Sequence, residues 1–446
     1  MRIEIANSEM FSAIIEKTTG VKIFHPITGV SNDSREIKKG DLYIALIGEK
    51  IDGHKFLEEV ANKGATAALV NYEINDIELK QICVLDTIAF LSKIANIWRK
   101  NFDIPIIAIT GSNGKTSTKD LLRHVLSDKF NIHATEGNFN TLLGLCLTIF
   151  GIQSYHEIAI FELGASKLGE IESLCKISEP THGIITNIAS AHLEGFGSID
   201  NIAKEKSALF SSLKHGLSFV NMADKYISKM HILGKKISFG LSPDCDFPAD
   251  IYQEKDGTLT LILDTHEIAT NSYNLSFLKN CIPVAVISST LGINWDSLAS
   301  KLQSFPTPKG RCFVSQKDDI TIIDDTYNAN ISSSIAALDY LNAFSNDGRK
   351  IFVFGDMLEL GNKAKEQHQK IGEKCSKLKI DVIYTVGEQT IHVNSKIHNG
   401  VLNKHFKSKS LLIDSLKKII TPGDKILFKG SRSMKMEEVI EGVFKN

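Results

Sequence analysis

A strand, a glycine-rich loop and a helix follow one another near residue 104, and this order restricts the fold more than any other feature. Residues 104–110 read IPIIAIT, an apolar run as long as a buried strand. The loop GSNGKTS comes next, and residues 119–126 have the pattern of a helix. Glycines let the backbone approach an anion, and the positive end of the helix attracts it. The sequence therefore predicts an α/β sheet with a phosphate site at the end of one strand.

Apolar strands alternate with amphipathic segments through the rest of the chain. After the loop, strands are predicted at 157–163 and 182–188, and after 305 the predicted strands are at 320–325, 350–355, 382–387 and 425–430. Such alternation predicts parallel sheets with helices on both faces. A chain of 446 residues exceeds one hydrophobic core, and prolines at 305–311 mark a boundary. The predicted domains are an N-terminal α/β domain (1–98), a central parallel-sheet domain with the phosphate loop (99–305) and a C-terminal doubly wound, Rossmann-like domain (306–446).

Composition limits which binding partners and which cellular compartment we expect for the protein. The formal net charge is −1, so no global basic field favours nucleic acid or an anionic membrane surface. Seven cysteines form no C-x-x-C pair, which argues against a disulfide framework and fits a reducing compartment. The first residues lack a signal-peptide apolar stretch, and the apolar run 142–152 is too short to span a bilayer. We expect a cytoplasmic protein without nucleic acid or membrane insertion.

The phosphate loop supplies the predicted nucleotide site. Lys115 would reach the β- and γ-phosphates of ATP, and the Thr116 hydroxyl would bind Mg²⁺. Ile109 stands where the usual pattern has its first glycine. Motors, kinases and ligases all use such a loop, so the loop alone does not select the reaction. The predicted ATP-binding residues of the loop are Gly111, Ser112, Asn113, Gly114, Lys115, Thr116 and Ser117.

Three further residues are candidates for the chemistry. Glu162 ends an apolar strand, where a carboxylate projects toward the ligand crevice and suits Mg²⁺, although it could instead cap a helix. His192 follows the next strand and is either a metal ligand or a structural histidine. Lys206 lies in a predicted helix, where a lysine is by default a solvated surface charge.

Together these segments resemble the Mur ligases of peptidoglycan synthesis over essentially the whole chain. The similar segments are those at 33–56, ITGSNGKTS (109–117), GNFNTLLG (137–144), ELGAS..GEI (162–171), TNIASAHLEGFGS (186–198), DDTYNAN (324–330), GDMLELG (355–361) and KGSRSM (429–434). AHLEGFGS, DDTYNAN and GDMLELG resemble the members that add D-alanyl-D-alanine to UDP-N-acetylmuramoyl-tripeptide. Ile331 replaces the usual proline after Asn330, and Ser433 replaces a glycine or alanine; neither change removes a reactive group.

The resemblance implies a role for each candidate. It implies Mg²⁺ on Thr116 and Glu162, a second Mg²⁺ on His192, and a Lys206 that CO₂ converts to a metal-bridging carbamate. Lys115, Glu162, His192 and Lys206 would then be the catalytic residues. The remaining roles implied are UDP-sugar binding by Ser34 and Lys50, adenine near Asn187, the γ-phosphate at Arg311, the ribose at Asp325, and substrate contacts from Asn138, Asn140, Tyr327, Asn328 and Asn330.

The resemblance also implies a reaction in two steps. A substrate carboxylate attacks the γ-phosphate of ATP, and the amine of D-alanyl-D-alanine then attacks the acyl phosphate. The protein is expected to act as a monomer. Two alternatives stay open: another ligase of the same superfamily with a different acceptor, and a nucleotide-gated binding protein without catalysis.

Overall fold

The computed structural model describes residues 2–255, 257–345, 347–378, 380–397 and 400–445. Within these ranges the strands form three sheets, which follow one another along the chain. Every residue predicted to belong to the site lies within the described ranges. No helix in the described part of the chain is both long and apolar enough to cross a bilayer.

The first sheet is a small mixed sheet. Its strands, in both chain and spatial order, are β1 (Arg2–Glu4), β2 (Gly29–Ser31), β3 (Asp41–Ile44), β4 (Ala67–Val70) and β5 (Lys80–Cys83). Only β1 runs antiparallel to its neighbour among these pairings. The helices are α1 (Ser8–Thr19), α2 (Leu57–Asn62) and α3 (Thr87–Arg99).

The second sheet carries the phosphate loop. Its strands are β6 (Ile106–Thr110), β7 (Ile132–Ala134), β8 (Ile158–Glu162), β9 (His182–Ile185), β10 (Leu217–Asn221), β11 (Lys235–Gly240), β12 (Phe247–Gln253), β13 (Leu259–Leu263) and β14 (His266–Ser272). The spatial order is β14-β13-β12-β11-β10-β9-β6-β8-β7. The helices are α4 (Lys115–Leu126), α5 (Leu142–Phe150), α6 (Glu170–Ser178), α7 (Leu193–Phe196), α8 (Ile199–Ser212), α9 (Leu275–Thr290) and α10 (Trp295–Gln303).

The predicted parallel central sheet is extended at one edge by antiparallel strands that the sequence analysis did not identify. Pairings from β6 to β12 are parallel, but β13 and β14 add antiparallel strands. Antiparallel neighbours need only a tight connection, whereas parallel ones need a crossover. The short turn between β13 and β14 includes Asp264 at φ 56°, and this hairpin lies outside the strand–helix alternation used for the prediction.

The first two sheets share one hydrophobic core. Phe11 of α1 makes edge-to-face ring contacts with Trp98 of α3, at 5.5 Å between centroids, and with Phe150 of α5, at 5.1 Å. All three aromatic side chains are fully buried or nearly so. The N-terminal segment is therefore anchored to the central one by apolar packing.

The third sheet is doubly wound, as predicted. Its strands are β15 (Phe313–Lys317), β16 (Ile320–Asp325), β17 (Lys350–Gly355), β18 (Val382–Val386), β19 (Leu402–Phe406) and β20 (Lys425–Lys429), in the order β15-β16-β20-β17-β18-β19. The helices are α11 (Ile331–Ala343), α12 (Ala364–Leu378), α13 (Ile391–Asn394), α14 (Lys409–Ile419) and α15 (Glu437–Phe444). Successive residues of β17, such as Phe352 and Val353, enter different buried clusters on opposite faces.

Candidate functional site

A cavity of about 1530 Å³ lies between the central and C-terminal sheets. It opens where β8 and β16 end, which is where ligands bind in parallel α/β sheets. The structure brings most of the predicted site residues into its lining: Ser112, Asn113, Gly114, Lys115, Thr116, Ser117, Asn138, Asn140, Glu162, Asn187, His192, Arg311, Asp325, Tyr327, Asn328 and Asn330. Gly111, Lys206, Ser34 and Lys50 lie outside that lining.

Two glycines of the phosphate loop are required by its geometry. Gly111 has φ 148°, and a Cβ there would lie 1.9 Å from Thr186 Oγ1. Gly114 has φ 80° and caps α4 from a left-handed conformation. Residues that carry a side chain rarely adopt either of these backbone conformations. At Gly111 the loop also passes so close to the end of β9 that no side chain would fit. The glycines therefore let the loop lie against the end of the neighbouring strand.

Gly111→Ala is expected to lower the thermal unfolding midpoint, because the added methyl group meets both strain and a clash. The combined cost should be about 2 kcal/mol or more. Gly20→Ala is the matched control: Gly20 also has positive φ, at 73°, but a Cβ there has no atom within 4 Å. That variant should cost about 1 kcal/mol. Equal shifts in the two variants, measured by thermal unfolding, would contradict the close approach to Thr186.

Asn113 connects the phosphate loop to two other elements. Its backbone N–H donates to Asn187 Oδ1 at 3.1 Å, and its carbonyl accepts from Thr186 Oγ1 at 2.6 Å and Asn187 Nδ2 at 3.2 Å. Its side chain bonds Asn330 Nδ2 and Ser332 Oγ, each at 2.6 Å, at the N-terminus of α11. We call these two side-chain bonds the Asn113 clasp. Asn187 thus braces the loop, while its adenine contact stays a prediction.

Lys115 is folded against its own loop. Its Nζ donates to the Gly111 carbonyl at 2.7 Å. Burial lowers the pKa of Lys115, the Glu162 carboxylate opposes this, and the Arg311 charge lowers it further. The ammonium group is therefore close enough to one carboxylate, and to a second cation that the C-terminal segment supplies, for both charges to act on it.

Glu162 offers an oxygen that suits a metal ion. Asn140 Nδ2 donates to Glu162 Oε1 at 2.9 Å and so holds the carboxylate. Oε2 is buried and has no hydrogen-bond partner among the described residues. An unpaired buried carboxylate oxygen is costly unless a cation or a donor reaches it. Thr116 lines the same cavity, and its hydroxyl together with this carboxylate fits Mg²⁺, which prefers oxygen ligands.

His192 contacts Glu359, a residue that the sequence analysis did not select. His192 Nδ1 bonds Glu359 Oε2 across the cavity, and Glu359 belongs to the segment after β17. In the described ranges, no three His, Cys, Asp or Glu side chains converge as a metal cluster. The predicted metal set contains just two residues of those types, Glu162 and His192.

Lys206 is buried, so its default interpretation as a surface charge is wrong. The side chain lies in α8 and is 3% exposed. Burial lowers the pKa of Lys206 to about 7, with a further contribution from the Lys115 charge and opposition from Glu205. Glu205 itself accepts the Gly169 and Ile171 N–H groups at the start of α6, each at 2.6 Å. Lys206 is therefore an amine that is uncharged for much of the time near neutral pH.

The C-terminal segment contributes an arginine and a buried ion pair. The Arg311 guanidinium lies 4.0 Å from the centroid of the Tyr327 ring, an orientation that favours cation–π attraction. Lys429 Nζ donates to Asp325 Oδ2 at 2.5 Å and to the Asn328 carbonyl at 2.8 Å. Burial raises the pKa of Asp325, and Lys429 opposes that rise. Lys429 lies in the KGSRSM segment, but no sequence pattern around it indicated that it would pair with Asp325.

The two N-terminal candidates are in different surroundings. Ser34 is buried, and its Oγ donates to Glu59 Oε2 at 3.2 Å, while Lys63 Nζ donates to its carbonyl at 2.7 Å. Lys50 is exposed. Both are separate from the cavity lining, and their contacts with a UDP-sugar stay a prediction.

Comparison with protein families gives three matches along the chain. Residues 26–99 match "Mur ligase family, catalytic domain", residues 109–282 match "Mur ligase middle domain", and residues 310–432 match "Mur ligase, glutamate ligase domain". These three segments follow the order of the three sheets.

Similar proteins cover almost the whole chain. UDP-N-acetylmuramoyl-tripeptide--D-alanyl-D-alanine ligase of Escherichia coli is 33% identical over 435 residues, 94% of each chain, and that of Bacillus subtilis is 30% identical over 436 residues, again 94% of each. Crystal structure I of MurF from Acinetobacter baumannii superposes with a TM-score of 0.90 at 28% identity, covering 98% of both chains. MurF ligase from Thermotoga maritima in complex with ADP gives 0.83 at 28% identity, covering 93% of this chain and 96% of that one. This chain belongs to the Mur ligase family.

Proposed function

We propose that the protein is an ATP-dependent ligase that adds D-alanyl-D-alanine to UDP-N-acetylmuramoyl-tripeptide in peptidoglycan synthesis. The observation that carries this proposal is the shared cavity, in which a phosphate loop and a free carboxylate oxygen face groups from the C-terminal sheet. The relatives from Escherichia coli and Bacillus subtilis, with 94% coverage, are named for this reaction.

The ATP site would be formed from both sides of the cavity. Lys115 and Arg311 lie near enough to each other that the Arg311 charge lowers the pKa of Lys115. Two cations converging from different sheets suit a γ-phosphate, whose negative charge they would neutralise during transfer. Asp325 would bind the ribose and Asn187 would lie near the adenine, as the resemblance implies. The loop residues from Gly111 to Ser117 would cradle the phosphates.

The reaction would use positioning and electrostatics without a protein nucleophile. The terminal carboxylate of the tripeptide attacks the γ-phosphorus, the bond to the β-phosphate oxygen breaks, and ADP leaves. The free amine of the dipeptide then attacks the acyl carbon. The tetrahedral intermediate collapses to the amide and releases phosphate, while the amine proton passes to solvent or phosphate. Asn138, Asn140, Tyr327, Asn328 and Asn330 are the proposed substrate contacts.

Mg²⁺ is the proposed metal, held by Thr116, Glu162, His192 and a carbamylated Lys206. When bound it would neutralise phosphate charge. The buried Glu162 Oε2 supports this choice, and the lowered pKa of Lys206 supports carbamylation, because only the neutral amine reacts with CO₂ to give a carbamate and a proton. The carbamate turns a cation into an oxygen ligand suited to Mg²⁺.

The remaining features complete the proposal. Ser34 and Lys50 would hold the UDP-sugar on the N-terminal segment. The proposed domains are residues 1–98, 99–305 and 306–446. The chain would act as a monomer in the cytoplasm. The three family matches support the boundaries. All seven cysteines are described and all are free thiols, which supports a reducing compartment.

Phosphate release from ATP tests the proposal most directly. With UDP-N-acetylmuramoyl-tripeptide and D-alanyl-D-alanine together, we expect ATP-dependent release and a product whose mass is that of the pentapeptide. Omission of either substrate should abolish the product. Turnover with an amino acid in place of the dipeptide, and none with the dipeptide, would instead assign another ligase reaction. ATP binding with no turnover on either acceptor would favour the non-catalytic alternative.

A further inference from the structure

We propose that Glu359, which lies in the C-terminal segment, is a positioning residue that orients the His192 ring to bind a divalent cation. This inference rests on the proposed function. It assigns to the segment after β17 a part in a metal site whose other predicted members all lie on the central segment.

The contact joins two distant parts of the chain through side chain and backbone. Glu359 Oε2 bonds His192 Nδ1, and the Glu359 carbonyl accepts the N–H of Glu194 at 3.3 Å. His192 precedes α7, and Glu359 follows β17. Two bonds between the same short segments fix both the distance and the direction of approach.

Both partners adopt a backbone conformation that non-glycine residues rarely occupy. His192 has φ 53° and Glu359 has φ 61°. Left-handed conformations in residues with side chains cost on the order of 1 kcal/mol each. The two residues bond each other despite this cost, and glycine, which would avoid the cost, has no side chain to make the contact.

The contact with Glu359 determines which ring nitrogen of His192 is available to bind a cation. An ionised carboxylate only accepts hydrogen bonds, so Glu359 selects the tautomer with hydrogen on Nδ1. Nε2 then has a free lone pair for a cation. A carboxylate on the second ring nitrogen commonly fixes the ring and raises its strength as a ligand. His192 and Glu359 line the same cavity as Thr116 and Glu162, so the oriented nitrogen would face the oxygen ligands.

The rival explanation is an ordinary ion pair between two segments. The side chains of His192 and Glu359 are 33% and 60% exposed, and an exposed pair contributes little to stability. The two explanations differ in one measurable property. A positioning residue changes cation affinity through His192, whereas a simple ion pair does not.

Binding of Mn²⁺, a paramagnetic substitute for Mg²⁺, separates the explanations without any turnover. Mn²⁺ is titrated into the full-length protein with bound ADP, the nucleotide being kept below the protein concentration, and free Mn²⁺ is measured by electron paramagnetic resonance. We expect Glu359→Gln to weaken Mn²⁺ binding by about tenfold or more. The ADP affinity, measured in parallel without metal, should stay unchanged. Glu366→Gln is the matched control, because Glu366 forms an exposed pair with Lys370 in the same C-terminal segment.

A double variant tests whether Glu359 acts through His192. His192→Ala with Glu359→Gln should bind Mn²⁺ no more weakly than His192→Ala alone. Unchanged Mn²⁺ affinity in Glu359→Gln, or a further loss in the double variant, would overturn the proposal. Failure of the wild-type protein to form the pentapeptide would count against the proposed function alone, because the Mn²⁺ titration requires no acceptor.

Discussion

Lys115→Ala is expected to reduce ATP-dependent phosphate release by about a hundredfold or more, the loss typical of removing a preorganised charge from a transferring group. The reason is the position of the ammonium group, which is half-buried, bonds the Gly111 carbonyl of its own loop, and is close enough to Glu162 and Arg311 for their charges to act on it. Removing it would leave the γ-phosphate with one of two converging cations. Single-turnover formation of ADP, with tripeptide saturating and the protein in excess over ATP, measures the effect on phosphoryl transfer itself.

Arg123→Ala is the matched control for Lys115→Ala. Arg123 lies on the same helix, α4, but its side chain is exposed. Removing a cation from this surface should change phosphate release by less than about twofold, since exposed charges are strongly screened. A Lys115→Ala protein that keeps wild-type release and wild-type thermal stability would be incompatible with the phosphate site.

Lys206→Ala is expected to lower pentapeptide formation by about a hundredfold, because it removes the side chain that would become a bridging anion. Partial recovery on adding a short carboxylate such as formate would show that an oxygen ligand is needed there. The wild-type protein should lose activity when CO₂ is removed and recover it with bicarbonate. The pKa of about 7 sets the direction with pH: below it the amine is protonated, so carbamylation and activity should fall.

Lys204→Ala provides the comparison for Lys206→Ala. Lys204 lies on the same helix but is exposed, so its removal should leave both activity and the bicarbonate response intact. If Lys206→Ala is folded and fully active, or if formate raises the activity of Lys206→Ala no more than that of Lys204→Ala, the carbamate role is wrong.

Local sequence order predicted the parts of the fold that depend on neighbouring residues. The strands at 320–325 and 350–355 and the helix after the phosphate loop follow from apolar runs and from glycine spacing, which act over short distances. Candidates at strand ends, such as Glu162, converged because the carboxyl ends of parallel strands share one edge.

Contacts between segments that are distant in sequence could not be predicted from these local patterns. The pairing of His192 with Glu359 and that of Asp325 with Lys429 join residues separated by 167 and 104 positions, and neither has a periodic signal. The burial of Lys206 depends on how α8 packs, which its sequence does not specify. The hairpin that adds β14 was missed because its strands break the strand–helix alternation.

The Asn113 clasp also affects how a spent nucleotide would leave. The same loop residue that would lie against the phosphates is bonded to the start of α11. If a diphosphate held by that loop leaves past α11, both bonds must break first, so its release and the separation of the two sheets would be one event. The frequency of that separation would then limit how often the enzyme cycles, even where the bond-making steps are fast.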